Sequence, residues 1–148
     1  MIPTKVKLGQ YYNYSLGELF AIDFYLKNPN FQRPIVWTIE QKIKLIESLW
    51  LGIPIGTYSI NILDDCEHEY HMLVIDGQKR IDAISEYRSG KFKVYDLLYS
   101  ELSDCEKYRF KICKFPQYVT QSYDIEYLKN YYNLMNFGGT AHKEAERA

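Results

Sequence analysis

Tyr70-His71-Met72-Leu73-Val74-Ile75-Asp76-Gly77-Gln78-Lys79-Arg80-Ile81 is the stretch on which the fold of this chain turns. Its first six residues form a run suited to a strand, and Ile81, Ile84 and Tyr87 then recur at helical spacing until Gly90 stops the helix. Asp76-Gly77-Gln78-Lys79-Arg80 is therefore a junction from strand to helix. Such a junction presents free backbone amides and the positive end of the helix dipole, which together suit a phosphate oxygen. Gly77 permits close approach. Lys79 and Arg80 add two cations at the end where the dipole disfavours them. Either an anion compensates that conflict, or the two side chains point into water or pair with Asp76.

Upstream, Tyr58, Ile60 and Ile62 alternate with smaller or polar residues, and Asp64 to Glu69 forms an acidic turn, so the two runs read as a hairpin or neighbouring strands. Ser15-Leu16-Gly17-Glu18 is a capping-box pattern for a helix reaching about Lys27, where Asn28-Pro29-Asn30 ends it. A second box, Thr38-Ile39-Glu40-Gln41, opens a helix with Ile39, Ile43, Ile46 and Trp50 on one face, closed by Gly52. Beyond Gly90 the pattern predicts a short strand near Phe92 to Tyr95, a helical stretch around Ser103 to Tyr108, a strand at Phe110 to Phe115, and a last helix from about Asp124 to Met135 before Gly138-Gly139.

Two further clusters stand beside the junction. Pro34 biases Arg33 towards an extended backbone ahead of the Thr38 helix; Arg33 there either clamps a phosphate through paired hydrogen bonds or staples the loop to Asp76 or Asp82. Asn136-Phe137-Gly138-Gly139-Thr140 reads as a helix C-cap, or as backbone meeting a ligand held by the other two clusters.

The 148 residues, 47% apolar, fit one domain spanning 1–148. Eighteen Lys and Arg against nineteen Asp and Glu exclude the overall basic character of a protein that coats nucleic acid, leaving only a local DNA contact. Three scattered cysteines without a C-x-x-C pair argue against a disulfide framework and a structural zinc site. His68, His71 and His142 lack metal-ligand spacing, so no metal ligands are assigned. No apolar leader or membrane-length segment is present, which predicts a soluble, cytoplasmic protein with no membrane partner. Fifteen tyrosines suit cores and partner surfaces alike, and the segment Tyr118 to Tyr132 reads as either.

Taken in order, these clusters resemble the GmrSD-type restriction-system N-terminal domain family, within the ParB/sulfiredoxin-like superfamily. Phe31-Gln32-Arg33-Pro34-Ile35-Val36-Trp37 is similar to that family's [FY]-Q-R-x-x-V-W pattern, continued by Leu45-Ile46-Glu47-Ser48 and Gly52-Ile53-Pro54-Ile55. Asp76-Gly77-Gln78-Lys79-Arg80 resembles its D-G-Q-Q-R signature, and Asn136-Phe137-Gly138-Gly139 with Glu146 its closing element. The resemblance runs from about Leu16 to Glu146.

It implies an α/β (α+β) fold, a small mixed sheet flanked by helices, with a nucleotide pocket between the Gln32-Arg33 loop and the Asp76–Arg80 turn. It also implies binding of a nucleoside triphosphate, with Mg²⁺ if the nucleotide is hydrolysed, in the service of DNA restriction or counter-defence. Arg33 and Arg80 would grip phosphates, with Gln32, Gly77, Gln78, Lys79, Asn136, Gly138 and Gly139 around them. Asp76 would orient the turn or hold a metal-bound water, and Glu47 would reach the same cleft. Lys79 replaces the signature's second glutamine, and Gln78 occupies the nucleophilic cysteine position of sulfiredoxins, so sulfiredoxin chemistry is not expected. The length leaves no room for the nuclease region of full-length relatives, so the expected partner is a nuclease subunit or a regulated target; the rival expectation is a non-catalytic DNA- or protein-binding adaptor.

Overall fold

The structure is a computed structural model that describes residues 10–29 and 36–137, with backbone alone at 135–137. Among them are four strands, β1 (Gln10–Tyr12), β2 (Tyr58–Asn61), β3 (Leu73–Asp76) and β4 (Gln117–Thr120), and five α-helices, α1 (Leu16–Ile22), α2 (Ile39–Trp50), α3 (Gln78–Arg88), α4 (Asp104–Lys111) and α5 (Ile125–Phe137). The strands form one mixed sheet in the order β1-β4-β2-β3: β2 pairs antiparallel with β3 and parallel with β4, and β1 closes the far edge antiparallel to β4. This is the expected mixed α/β fold.

Alternation along the strands sends side chains to two separate cores. Tyr58, Ile60 and Val74 join the larger one with Leu16 and Leu19 of α1, Ile46 and Leu49 of α2, Ile81 and Ile84 of α3, and Phe110 of α4. Leu73 and Ile75 face the other way, onto Leu128, Tyr127, Tyr131 and Tyr132 of α5. The sheet is thus covered on both faces. Tyr58 and Tyr87 are wholly buried and three half-buried α5 tyrosines pack on the smaller core, whereas Tyr11, Tyr25, Tyr95, Tyr108 and Tyr123 are exposed, so the tyrosines serve core and surface alike. No described helix is long and apolar enough to cross a membrane.

Several expectations are corrected. α1 stops at Ile22 and tightens into a 3₁₀ turn at Asp23–Tyr25, because Asp23 pairs with Arg88 at 3.3 Å and Lys27 joins the open edge of β3. The Ser15 box closes differently: its hydroxyl donates to the Glu18 carboxylate at 3.0 Å, and no side chain caps the helix amides. The Thr38 box forms in full, with Gln41 N–H donating to Thr38 Oγ1 at 3.2 Å and Thr38 N–H to Gln41 Oε1 at 2.8 Å. The buried face of α2 centres on Leu45, Ile46 and Leu49, while Ile39 is exposed.

Phe92 and Val94 enter the core, but the chain reverses at Tyr95 and Asp96 (φ 53° and 61°) and Val94 pairs only with Leu97, so no strand forms there. The Ser103 capping box sets the phase of α4, which carries Phe110 into the core and absorbs the first two residues of the expected 110–115 strand. The strand is instead Gln117–Thr120.

Candidate functional site

β3 runs through Gly77 directly into α3, as the sequence predicts. Gly77 has φ 96°, and a Cβ there would lie 2.7 Å from Cβ and 3.2 Å from Cα of Tyr58. The position therefore excludes other residues twice over, by backbone conformation and by close approach to β2. The first turn of α3 contains no acidic residue, and its leading amides have no intrahelical acceptor. Gln78 and Lys79 are half-buried, and Lys79 has no ion-pair partner among the described residues.

Arg80 turns back into the protein. Its Nη1 donates to the Ile55 carbonyl at 2.7 Å, its Nη2 lies 3.4 Å from Asp76 Oδ2, and its guanidinium carbon is 5.5 Å from the centre of the Phe115 ring. Burial lowers its pKa and Asp76 opposes the shift. An arginine so placed remains charged. Two of its five N–H donors are thus engaged, which ties the Gly52–Thr57 loop to the β3–α3 turn.

α5 passes along β3 towards this turn. Ile125 and Lys129 line a cavity of about 470 Å³ with Leu73 and Tyr70 at the start of β3, whereas Tyr131 lies near Asp76 at its end. The Tyr131 hydroxyl is 3.4 Å from Ser59 Oγ, and Ser59 is the register partner of Asp76. Burial raises the Tyr131 pKa, the Ser59 hydrogen bond opposes it, and Tyr118 and Asp76 add to the rise. α5 therefore runs in the direction of β3.

Asn61 anchors that arrangement. Wholly buried on β2, it donates from Nδ2 to the carbonyls of Tyr70 and Ser122, both at 2.9 Å, and accepts at Oδ1 from Thr120 Oγ1 at 2.7 Å and Ser122 N–H at 3.0 Å. All its polar capacity goes to the hairpin loop, the end of β4 and the lead into α5. Sequence reasoning did not single it out, although asparagine is depleted from strand interiors and one there asks for a reason.

The segment leading to the Gln32-Arg33 cluster leaves along β3. Lys27 N–H donates to the Met72 carbonyl at 2.9 Å and the Lys27 carbonyl accepts from Val74 N–H at 2.8 Å, a parallel bridge directed towards the Asp76 end. Lys27, Asn28 and Pro29 form another wall of the 470 Å³ cavity. Gln32, Arg33, Gly138, Gly139 and Glu146 lie outside the described residues, as does the side chain of Asn136 on the last turn of α5.

Asp76 is buried against Arg80; Glu47 is half-buried on α2, with no hydrogen bond or ion pair to Asp76, Gly77 or Arg80 among the described residues. Among those residues, no group of three or more His, Cys, Asp or Glu side chains gathers to hold a metal ion. The structure thus joins Asp76, Gly77, Gln78, Lys79 and Arg80 in one turn and leaves Glu47 unconnected to it.

A family model described as the GmrSD restriction endonuclease, N-terminal domain, matches residues 15–147. No curated protein and no solved structure matches.

Proposed function

The chain belongs to the GmrSD restriction endonuclease N-terminal domain family, and from that footing in restriction systems we propose that it binds a nucleotide whose phosphates sit at the start of α3. The observation that carries this reading is the left-handed Gly77 opening a helix whose first turn holds Lys79 and Arg80 and no carboxylate. Amides without an intrahelical acceptor and the helix dipole attract a negative group, and its arrival relieves the unfavourable placement of Lys79, the cation of the pair that Asp76 does not already compensate. Lys79 is the cation with freedom to reach the ligand. Arg80 contributes charge while holding the turn and the Gly52–Thr57 loop together.

Mg²⁺ would accompany the phosphates. It commonly uses one or two protein carboxylates and completes its shell with phosphate and water. Asp76 is the carboxylate of the turn, so the donor set fits, although its contact with Arg80 competes with that role. The proposal is accordingly binding; hydrolysis would further require a base for water, and Glu47 is not joined to the turn.

Calorimetric titration with ATP, GTP, CTP and UTP in Mg²⁺ tests the reading. One nucleotide should bind, and Lys79→Ala should weaken it by roughly tenfold or more, the loss of one charge-assisted hydrogen bond. Arg33→Ala should also weaken binding. Absence of heat with every nucleotide at millimolar concentration would refute the proposal, and phosphate release in the same samples separates a binder from a hydrolase.

A further inference from the structure

The Gly52–Thr57 loop has a second role that does not depend on nucleotide binding. Together with the residues that follow α4 it encloses an apolar groove of about 430 Å³, lined by Leu49, Ile53, Pro54, Ile112, Cys113 and Pro116. Lys114 also lines it, and among the described residues no carboxylate does. Ile53 and Ile112 remain about half exposed, at 51% and 49%, and Tyr108, one helical turn before Ile112, is 63% exposed. Unpaired apolar side chains gathered at a concave site mark a place where another molecule packs.

The groove walls are held in place. Ile53 N–H donates to the Ser48 carbonyl at 2.9 Å, Ile55 accepts from Arg80, and the single proton of the Cys113 thiol is within reach of two acceptors, the carbonyls of Leu49 at 3.4 Å and Arg109 at 3.3 Å. A preformed site of this kind spares a partner the cost of ordering it. Charge narrows the partner further. The charged residue at the groove is Lys114, which is exposed beside Cys113 and has no ion-pair partner among the described residues.

We propose that this groove docks an amphipathic segment of a partner protein, its apolar side chains seated between Ile53 and Ile112 and its acidic flank facing Lys114. An apolar lining takes leucine-like side chains as helix-in-groove sites do, whereas a phosphate backbone would find only the rim.

The probe is a short amphipathic helical peptide of leucine and glutamate, titrated into the isotope-labelled chain and followed by amide chemical shifts. Saturable shifts should appear at Ile53, Ile112 and Cys113, and both Ile53→Asp and Lys114→Glu should weaken binding by about tenfold while melting temperature stays close to that of the parent. Because Lys114 is exposed, its variant keeps the test valid if Ile53→Asp folds poorly. The proposal is overturned by absence of shifts at millimolar peptide, or by equal binding of the lysine counterpart peptide. Stronger shifts of the same amides by a DNA duplex would overturn it in favour of nucleic acid. Sedimentation showing a dimer that Ile53→Asp dissociates would overturn it in favour of a second copy.

Discussion

Asn61→Ala should be among the most damaging single substitutions of a polar residue in this protein. The wild-type side chain makes four hydrogen bonds in a fully buried position, to Tyr70, Thr120 and twice to Ser122. Each is worth about 1 kcal/mol net, and the groups left behind cannot all find water, so the expected loss is roughly 3–4 kcal/mol. That is a large share of the ~5–15 kcal/mol that holds a typical domain together. Urea unfolding followed by circular dichroism should show the midpoint falling with little change in slope, and the melting temperature should drop by about 10 °C. A loss below about 1 kcal/mol would refute the view that Asn61 anchors the lead into α5.

Asn61→Asp separates hydrogen bonding from shape. It keeps both acceptor contacts but can donate to only one of the two carbonyls, and only when protonated, so burial and the facing carbonyls raise the pKa of the new carboxyl in the folded state. Because the folded form then holds a proton that the unfolded form releases near pH ~3.9, its stability should be greatest at low pH and decline as pH rises through the folded pKa. Asn61→Ala should not share this additional decline.

Gly77→Ala should cost about 3 kcal/mol, combining a left-handed backbone with displacement of buried Tyr58, and thermal melting checks it. Asp96→Gly should instead raise stability by about 0.5 kcal/mol, since Tyr95 and Asp96 both occupy left-handed conformations in a two-residue turn that favours glycine; a fall in melting temperature would show that the Asp96 side chain holds the turn. Burial, then Glu86, raises the Asp82 pKa, and Lys42 only partly opposes them. Asp82→Asn should therefore stabilise by about 0.3 kcal/mol at pH 7 through relief of the i,i+4 repulsion, and the gain should vanish below the unfolded-state pKa of ~3.9, where both the folded and the unfolded parent are protonated.

The elements legible in the sequence are those whose signals are local. Thr38 and Ser103 satisfy nearby amides whatever the rest of the chain does, and both helices begin there. The β3–Gly77–α3 junction was legible for the same reason, because glycine's freedom and the change from strand pattern to helix period fall within a dozen residues. The Phe92–Tyr95 and Phe110–Phe115 runs misled because an apolar residue at alternate positions records that it is buried, without saying whether a strand neighbour exists. Phe110 is buried from a helix and Val94 from a turn.

Residue order alone thus determined the helix starts, the turn of Asp76–Arg80 and the family. Tertiary structure decided that Lys27 leaves its helix for the edge of β3, that Arg80 is bound to Ile55, and that Asn61 locks α5 onto the sheet. Each of these joins atoms distant along the chain, and such contacts gain their energy only once the sheet and its two cores bring the partners within hydrogen-bonding reach.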